Sequence, residues 1–249
     1  MTKGRHFKMD PHGVQHGFSQ TPHVIPPYLK RRLAIEFRTA ARNWTIGGCY
    51  GSLVVFQRDS VMIPLLILID QQQGIRAPHL GPRNHPDAER RIAELLAAWR
   101  QARAPLLHVR HLSRDPRSVF WPGQPGVEFQ PALAPLHGEP VFDKQVPDAF
   151  ANSGLERWLH QRGIHSLLIC GVASENSVEA TARSAGNLDF TTWVAEDACY
   201  TFAKTDFSGR PRSAEEVHAM AMANLHREYA TVTSSAAMLE RLRTNGSPC

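Results

Sequence analysis

The chain has 249 residues, of which 42% are apolar and 20% are charged, and its formal charge is +5. This composition excludes a wholly disordered chain, and the length fits one domain with an appendage. The positive charge belongs to residues 1–61, which hold nine Lys and Arg against three Asp and Glu; residues 62–249 hold 19 against 20. The body of the chain therefore gives no electrostatic reason to expect a nucleic-acid partner.

Cysteine spacing and hydropathy argue against a zinc-binding, disulfide-rich, membrane-spanning or secreted protein. Cys49, Cys170, Cys199 and Cys249 form no C-x-x-C pair and no Cys/His spacing typical of zinc, and four thiols are too few for a disulfide scaffold. The apolar stretches are too short to span a bilayer, and the N-terminus lacks the apolar region of a secretory signal. We expect a cytoplasmic protein with no membrane partner.

Residues 1–61 differ from the rest of the chain. His, Pro and Gly are scattered there without a period, residues 31–42 favour a short basic helix, and residues 52–56 favour a short strand. Three interpretations stay open: a disordered basic tail, a lineage-specific extension, or a start site placed too early. A transit peptide is a weaker option, since Arg and Ser are not strongly enriched. We predict a basic extension over residues 1–61 and the main domain over 62–243.

Apolar runs and helical spacing alternate from Met62 onward. Taken in chain order, residues 64–70 predict a strand, 86–103 a helix, 105–110 a strand, 111–137 a long loop rich in Pro and Gly, 139–144 a strand, 152–162 a helix, 166–171 a strand, 176–188 a helix, 190–195 a strand, 213–226 a helix that opens with a capping box, and 229–233 a strand. Six strands that alternate with helices predict a parallel, doubly wound α/β sheet.

Polar side chains follow three of these strands. Asp70 and Lys144 end two of them, and the turn after Gly171 contains Ser174 and Ser177. Ligands of open α/β sheets bind beyond the carboxyl ends of the strands, so these groups are expected to share one crevice. Each also has a structural explanation: a turn acid for Asp70, a solvated lysine for Lys144, and a helix cap for Ser174.

Several ordered motifs resemble the isochorismatase-like, or cysteine hydrolase, superfamily. The resemblance extends over about residues 63–239. Its motifs are Ile69-Asp70, VFDKQVPDAF at 141–150 and CGVASENSVEATAR at 170–183, and it continues through 115–118, 122–128, 185–188 and 196–202. Residues 1–61 have no counterpart in it.

The resemblance implies a three-layer α/β/α sandwich with a six-stranded parallel, Rossmann-like sheet. It also implies an Asp–Lys–Cys triad that hydrolyses amides through a thioester. Asp70 would be the general base, and Lys144 would hold the charge of the nucleophile. The Val172–Ala173 peptide would be cis, and the N–H groups of Ala173 and Ser177 would form the oxyanion hole.

The chain departs from this pattern at the nucleophile, because Ser177 stands where the family has Cys. A serine hydroxyl ionises far less readily than a thiol and needs a stronger base. Four interpretations stay open. Ser177 is a nucleophile activated by Asp70, or water attacks directly without a covalent step. Otherwise Ser177 is an engineered replacement, or the site only binds a ligand.

No metal and no cofactor are expected. The nicotinamidase branch holds zinc through a D-x-H…H pattern, and His108 and His111 lack that spacing. His108 lies within a strand and is expected to be packed or hydrogen-bonded. Phe120 and Trp121 on the long loop, with Arg110, are weak candidates for the substrate pocket; each also has a structural explanation, as a packing or surface residue.

The sequence thus predicts a hydrolase of a small-molecule amide or a related C–N or C–O bond, using Asp70, Lys144 and Ser177. The alternative is a non-catalytic ligand-binding or interaction protein on the same fold. Nucleic-acid binding through residues 1–61 is the least favoured hypothesis. The resemblance also implies a homo-oligomer, either a dimer or a tetramer.

Overall fold

The computed structural model describes residues 63–246 and, before them, two short strands, β1 (Trp44–Gly47) and β2 (Val54–Gln57). These residues belong to two compact units that divide after Asp59. In the first unit, β1 and β2 pair antiparallel. The helix predicted over 31–42 lies outside the described residues, and the strand predicted over 52–56 overlaps β2. The proposed division into an extension and a main domain stays a prediction.

The second unit is built on a six-stranded sheet. Its strands are β3 (Leu65–Ile69), β4 (Leu106–His111), β5 (Val141–Lys144), β6 (Ser166–Val172), β7 (Thr191–Tyr200) and β10 (Thr231–Thr233). They lie in the order β10-β7-β6-β3-β4-β5, and every neighbouring pair is parallel. All five residues of β3 are buried, because this strand lies inside the sheet with helices over it. The predicted parallel sheet is confirmed.

Five helices cover the sheet: α1 (Ala88–Gln101), α2 (Leu155–Gln161), α3 (Glu179–Asn187), α4 (Ala214–Leu225) and α5 (Ser235–Gly246). Helix α1 buries Ile92, Leu95, Leu96 and Trp99, the apolar stripe that its sequence predicted. It packs with α5, whereas α3 packs with α4, which completes a three-layer α/β/α sandwich. None of the helices that the structure describes is long and apolar enough to cross a bilayer.

In the last third of the chain, one strand was predicted too short, and a helix and a short pair of strands were missed. Strand β7 continues to Tyr200, five residues beyond the predicted end, and α5 was not predicted. The acidic pair Glu196-Asp197 interrupts the apolar pattern, but Asp197 is satisfied within the fold. Its carboxylate accepts hydrogen bonds from the backbone N–H and the hydroxyl of Ser235, at the start of α5. A short antiparallel pair, β8 (Lys204–Thr205) and β9 (Pro211–Arg212), was also missed.

A buried ionic network joins β4 to α1. His108 is fully buried, as expected of a packed histidine, and its Nε2 lies 2.9 Å from Glu139 Oε2. Arg100 donates two hydrogen bonds to the same carboxylate, at 2.7 and 2.8 Å, and the N–H of Leu136 donates a third. Burial would raise the pKa of Glu139, but these hydrogen bonds together lower it to about 2.

Replacing Glu139 with Gln should therefore destabilise the protein in a pH-dependent way. Because the native pKa is depressed, the contribution of Glu139 is complete above about pH 4.5 and is lost as the pH falls towards 2. We expect Glu139→Gln to lower the free energy of unfolding by about 3 kcal/mol at pH 7. Urea titrations at pH 7, 5, 4 and 3 measure this, with Glu228→Gln at an exposed position as control. A difference that does not shrink below pH 4 would contradict the assignment.

Candidate active site

The structure brings Asp70, Lys144 and Ser177 together at the carboxyl edge of the sheet. Lys144 Nζ donates hydrogen bonds to Asp70 Oδ2 at 2.7 Å and to Ser177 Oγ at 3.0 Å. The three residues are almost completely buried, with 6%, 2% and 5% of their surface exposed. The lysine ammonium thus lies between a carboxylate and a hydroxyl that are 107 residues apart in the chain.

The sheet explains how these residues meet. Asp70 follows β3 directly, and its N–H donates to Val109 O of the neighbouring strand at 3.0 Å. Lys144 ends the edge strand β5 and pairs in register with His111, which ends β4. Asp70 has a left-handed backbone with φ +52°, an unfavourable conformation for a residue with a side chain. Such outliers often mark functional positions, because the surrounding fold must hold them in place.

Ser177 lies in a π-helical turn between β6 and α3, here called the Ser177 turn (Ser174–Val178). The preceding Val172–Ala173 peptide is cis, as the resemblance implied. Ala173 O accepts hydrogen bonds from the N–H groups of Asn176 and Val178, both at 3.1 Å, which closes the turn. Before it, Gly171 has φ +130°, and a Cβ there would lie 2.2 Å from Ile69 O. Only glycine therefore allows the end of β6 to lie this close to β3, the strand that Asp70 follows.

Asp70 and Ser177 line a cleft of about 400 Å³. Of the residues proposed from sequence, Asp70, Phe120, Val172, Ala173 and Ser177 line it. Lys144 lies beneath, in contact with Asp70 and Ser177. The cleft also contains residues that the sequence did not single out as site residues, namely His79, His111, Glu175, Phe202 and Lys204. Of these, His111 could have been found by applying the strand-end rule to β4.

Two buried side-chain atoms of residues that line the cleft have no hydrogen-bond partner among the described residues. Asp70 Oδ1 and His111 Nδ1 are both buried and unpaired. Burial, and then the charge of Lys144, lower the pKa of His111, so its imidazole is neutral at pH 7. Buried polar atoms are costly without partners, so both atoms are available to a reacting molecule in the cleft.

A second ion pair lies at the margin of the cleft. Lys204 Nζ is 2.5 Å from Glu175 Oε1, and Thr201 donates its hydroxyl to Glu175 Oε2. Glu175 belongs to the Ser177 turn, whereas Lys204 begins β8. Because the two residues are 29 positions apart and β8 was not predicted, no local pattern in the sequence pointed to this pair.

Two of the pocket residues that were proposed from the sequence do not line the cleft. Arg110 donates two hydrogen bonds to Asp143, at 2.7 and 2.9 Å, and neither Arg110 nor Trp121 is among the residues that line the cleft.

The thiols of Cys170 and Cys199 are fully buried, and burial raises the pKa of both well above the ordinary value. Neither thiol is therefore a thiolate that replaces the missing nucleophile.

Comparison with known proteins identifies the family. The sequence model of the isochorismatase domain matches residues 64–237. The chain belongs to the isochorismatase family.

One isochorismatase-family structure, from Chromobacterium violaceum, is 50% identical, with a TM-score of 0.72 over 78% of this chain and 100% of that one. The isochorismatase family protein YddQ of Bacillus subtilis is 35% identical and covers 72% of this chain and 100% of its own. The maleamate amidohydrolase of Pseudomonas putida is 28% identical over 60% of this chain and 76% of its own. The family includes hydrolases, and its match covers most of the described residues.

Proposed function

We propose that this isochorismatase-family protein hydrolyses a small-molecule amide or a related C–N or C–O bond. In this mechanism, Asp70 activates a water molecule. The observation that carries the proposal is the buried, unpaired Oδ1 of Asp70, a residue that lines the cleft and whose Oδ2 is held by Lys144. A carboxylate oxygen with no protein partner, in a cleft beside a polar turn, is placed to accept a proton from water.

The steps follow from the residues that line the cleft. The water oxygen bonds to the substrate carbonyl carbon while its proton passes to Asp70 Oδ1. The carbonyl oxygen gains the negative charge and is stabilised by the N–H groups of Ala173 and Ser177. The C–N bond then breaks, and the proton on Asp70 passes to the leaving nitrogen. Lys144 balances the buried charge of Asp70 before the carboxylate takes the proton and again after it releases the proton.

Ser177 acts as a binding group in this proposal rather than as the nucleophile. Its Oγ accepts a hydrogen bond from the Lys144 ammonium, which is a donor and cannot take the hydroxyl proton. A serine needs a base in hydrogen-bond contact before it attacks, and no such contact is present among the described residues. The hydroxyl proton is free to be donated to a substrate oxygen.

The size and the lining of the cleft indicate the substrate class. About 400 Å³ holds a small molecule. Phe120 and Phe202 provide apolar contact, while Lys204 and Glu175 provide charge at the margin. The relative named maleamate amidohydrolase supports a small amide as the first class to test.

The first experiment is a turnover screen of the purified full chain. It uses a panel of small amides, with esters and enol ethers as the C–O members. We expect turnover of at least one amide. Binding without turnover across the panel would contradict hydrolysis and would favour the ligand-binding alternative.

Substitutions of Ser177 then separate the water route from the covalent route. We expect Ser177→Ala to retain kcat within about tenfold, because it removes one hydrogen bond to the substrate and no reacting atom. Steady-state kinetics on the substrate found in the screen measure this. A loss of about 10³-fold or more, or an acyl-enzyme detected by mass spectrometry after rapid quenching, would show that Ser177 is the nucleophile. Ser177→Cys is the companion variant, since it tests whether the turn still activates a thiol.

A further inference from the structure

We propose that His85, Glu196 and His218 form a binding site for one divalent transition-metal ion of the zinc type. Their ligand atoms all lie within 4.8 Å of one another. His85 precedes α1, Glu196 lies in β7, and His218 lies in α4. None of the three lines the cleft that contains Asp70 and Ser177, so this site is separate from the proposed hydrolytic centre.

The hydrogen bond of His85 leaves one ring nitrogen free for a metal ion. Its Nδ1 lies 2.9 Å from the backbone oxygen of Cys199. A carbonyl oxygen only accepts hydrogen bonds, so Nδ1 must carry the proton and Nε2 must carry the lone pair. Histidines that bind metal ions typically hold their other N–H in this way. The bond therefore fixes both the tautomer and the direction of the ring.

The backbone at His85 is a second, independent observation. Its φ is +43°, in the left-handed region that few residues with a side chain adopt. The surrounding fold holds this conformation, in part through the hydrogen bond from Ala88 N–H to His85 O at 3.0 Å. An unfavourable backbone that directs a histidine towards a second histidine and a carboxylate is typical of a ligand-binding position.

The two ring nitrogens of His218 have different neighbours. Its Nδ1 lies 2.7 Å from Ser174 Oγ, and its Nε2 lies 3.9 Å from Glu196 Oε2. That separation is too long for a hydrogen bond. It is close to the separation of two ligands of one ion, which is about 3.3 Å for tetrahedral zinc with bonds of about 2.0 Å. The rings of His85 and His218 meet edge to face, with centroids 4.5 Å apart.

The donor set selects the class of metal. Two imidazole nitrogens and one carboxylate oxygen suit Zn²⁺ and similar ions, whereas Mg²⁺ and Ca²⁺ prefer oxygen ligands alone. Three protein ligands leave a position for water, and 38% of the Glu196 side chain is exposed, so solvent reaches the site.

The site is linked to the hydrolytic centre through one hydrogen bond. Ser174, the partner of His218, is the first residue of the Ser177 turn. A bound ion would therefore connect this turn to β7 and to the segment before α1. We expect the ion to raise the melting temperature, because it binds the folded chain and joins three separate elements.

Metal binding by the metal-free full chain tests the proposal. Equilibrium dialysis against Zn²⁺ measures affinity, and Co²⁺ provides a visible absorption spectrum that reports nitrogen and oxygen ligands. The chain has 13 histidines, so total zinc alone is not decisive. The readout is the difference between wild type and Glu196→Gln or His85→Gln. His160→Gln/His165→Gln is the control, because those two rings also neighbour each other, at 6.3 Å.

We expect Glu196→Gln and His85→Gln to weaken the tightest Zn²⁺ site at least tenfold and to abolish the rise in melting temperature, while the control matches wild type. Glu196→Gln keeps the size of the side chain, and circular dichroism checks the fold of both variants. If both folded variants bind Zn²⁺ within twofold of wild type, or if wild type shows no site tighter than the control histidines, the proposal is wrong. Activity is not part of the readout, so this result is independent of the proposed hydrolysis.

Discussion

The Asp70→Asn variant should lose about 10³-fold in kcat on any substrate that the wild type hydrolyses. Asn has the shape of Asp but cannot accept a proton from water, and general-base catalysis contributes about 10²–10⁴-fold to rates. The unpaired Oδ1 is the atom whose chemistry changes. Because substrate contacts remain, we expect KM to change much less than kcat.

Asp143→Asn is the matched control for this substitution. Asp143 is the residue before Lys144 and forms an ion pair with Arg110, but it does not line the cleft. The same chemical change there should leave kcat within about threefold of wild type, as is usual for a partly exposed surface pair. If Asp70→Asn and Asp143→Asn have equal activity, Asp70 is not the base and the proposed mechanism fails.

The Lys144→Met variant should show the largest loss of stability among the site variants. Lys144 is 2% exposed and forms the ion pair with Asp70 Oδ2 at 2.7 Å. Removing one partner of a buried pair leaves the other charge uncompensated, which costs about 3–5 kcal/mol. Urea denaturation at pH 7 measures the free energy of unfolding, and kcat should also fall, since Asp70 loses the contact that orients it.

A double variant distinguishes the ion pair from simple loss of packing. In Asp70→Asn/Lys144→Met, no buried charge is left without its partner, so the double variant should be at least about 1 kcal/mol more stable than Lys144→Met alone. Additive losses would contradict this, because they would show that Asp70 and Lys144 contribute to stability independently.

Much of the fold was predictable because its signals are local. The apolar residues of β3 and the helical spacing of Ile92, Leu95 and Trp99 reflect burial of one strand and one helix face. The positions of Asp70 and Lys144 after apolar strands predicted a common crevice, because parallel strands end at the same edge of a sheet. The structure places both residues there.

Features that depend on contacts between distant segments were not predictable in the same way. Beyond Ala195, β7 pairs with the end of β6, and its Asp197 accepts a hydrogen bond from Ser235, 38 residues away. Likewise, the ion pair of Lys204 with Glu175 joins β8 to the Ser177 turn, 29 residues earlier in the chain. Hydropathy patterns report the environment of each residue and its neighbours in the chain, so they carry no information about such partners.

In both sites, the sequence shows which residue types are present, whereas the tertiary structure shows which of them meet. The residue types at Asp70, Lys144 and Ser177 could be read directly from the chain. How distant segments pack determines three features: the unpaired Asp70 Oδ1, the hydrogen bond that Ser177 Oγ accepts from Lys144, and the meeting of His85, Glu196 and His218. Residue type determines which chemistry is available at each position. Sheet register and helix packing determine which of those groups come within bonding distance, because they bring together side chains that are far apart in the chain.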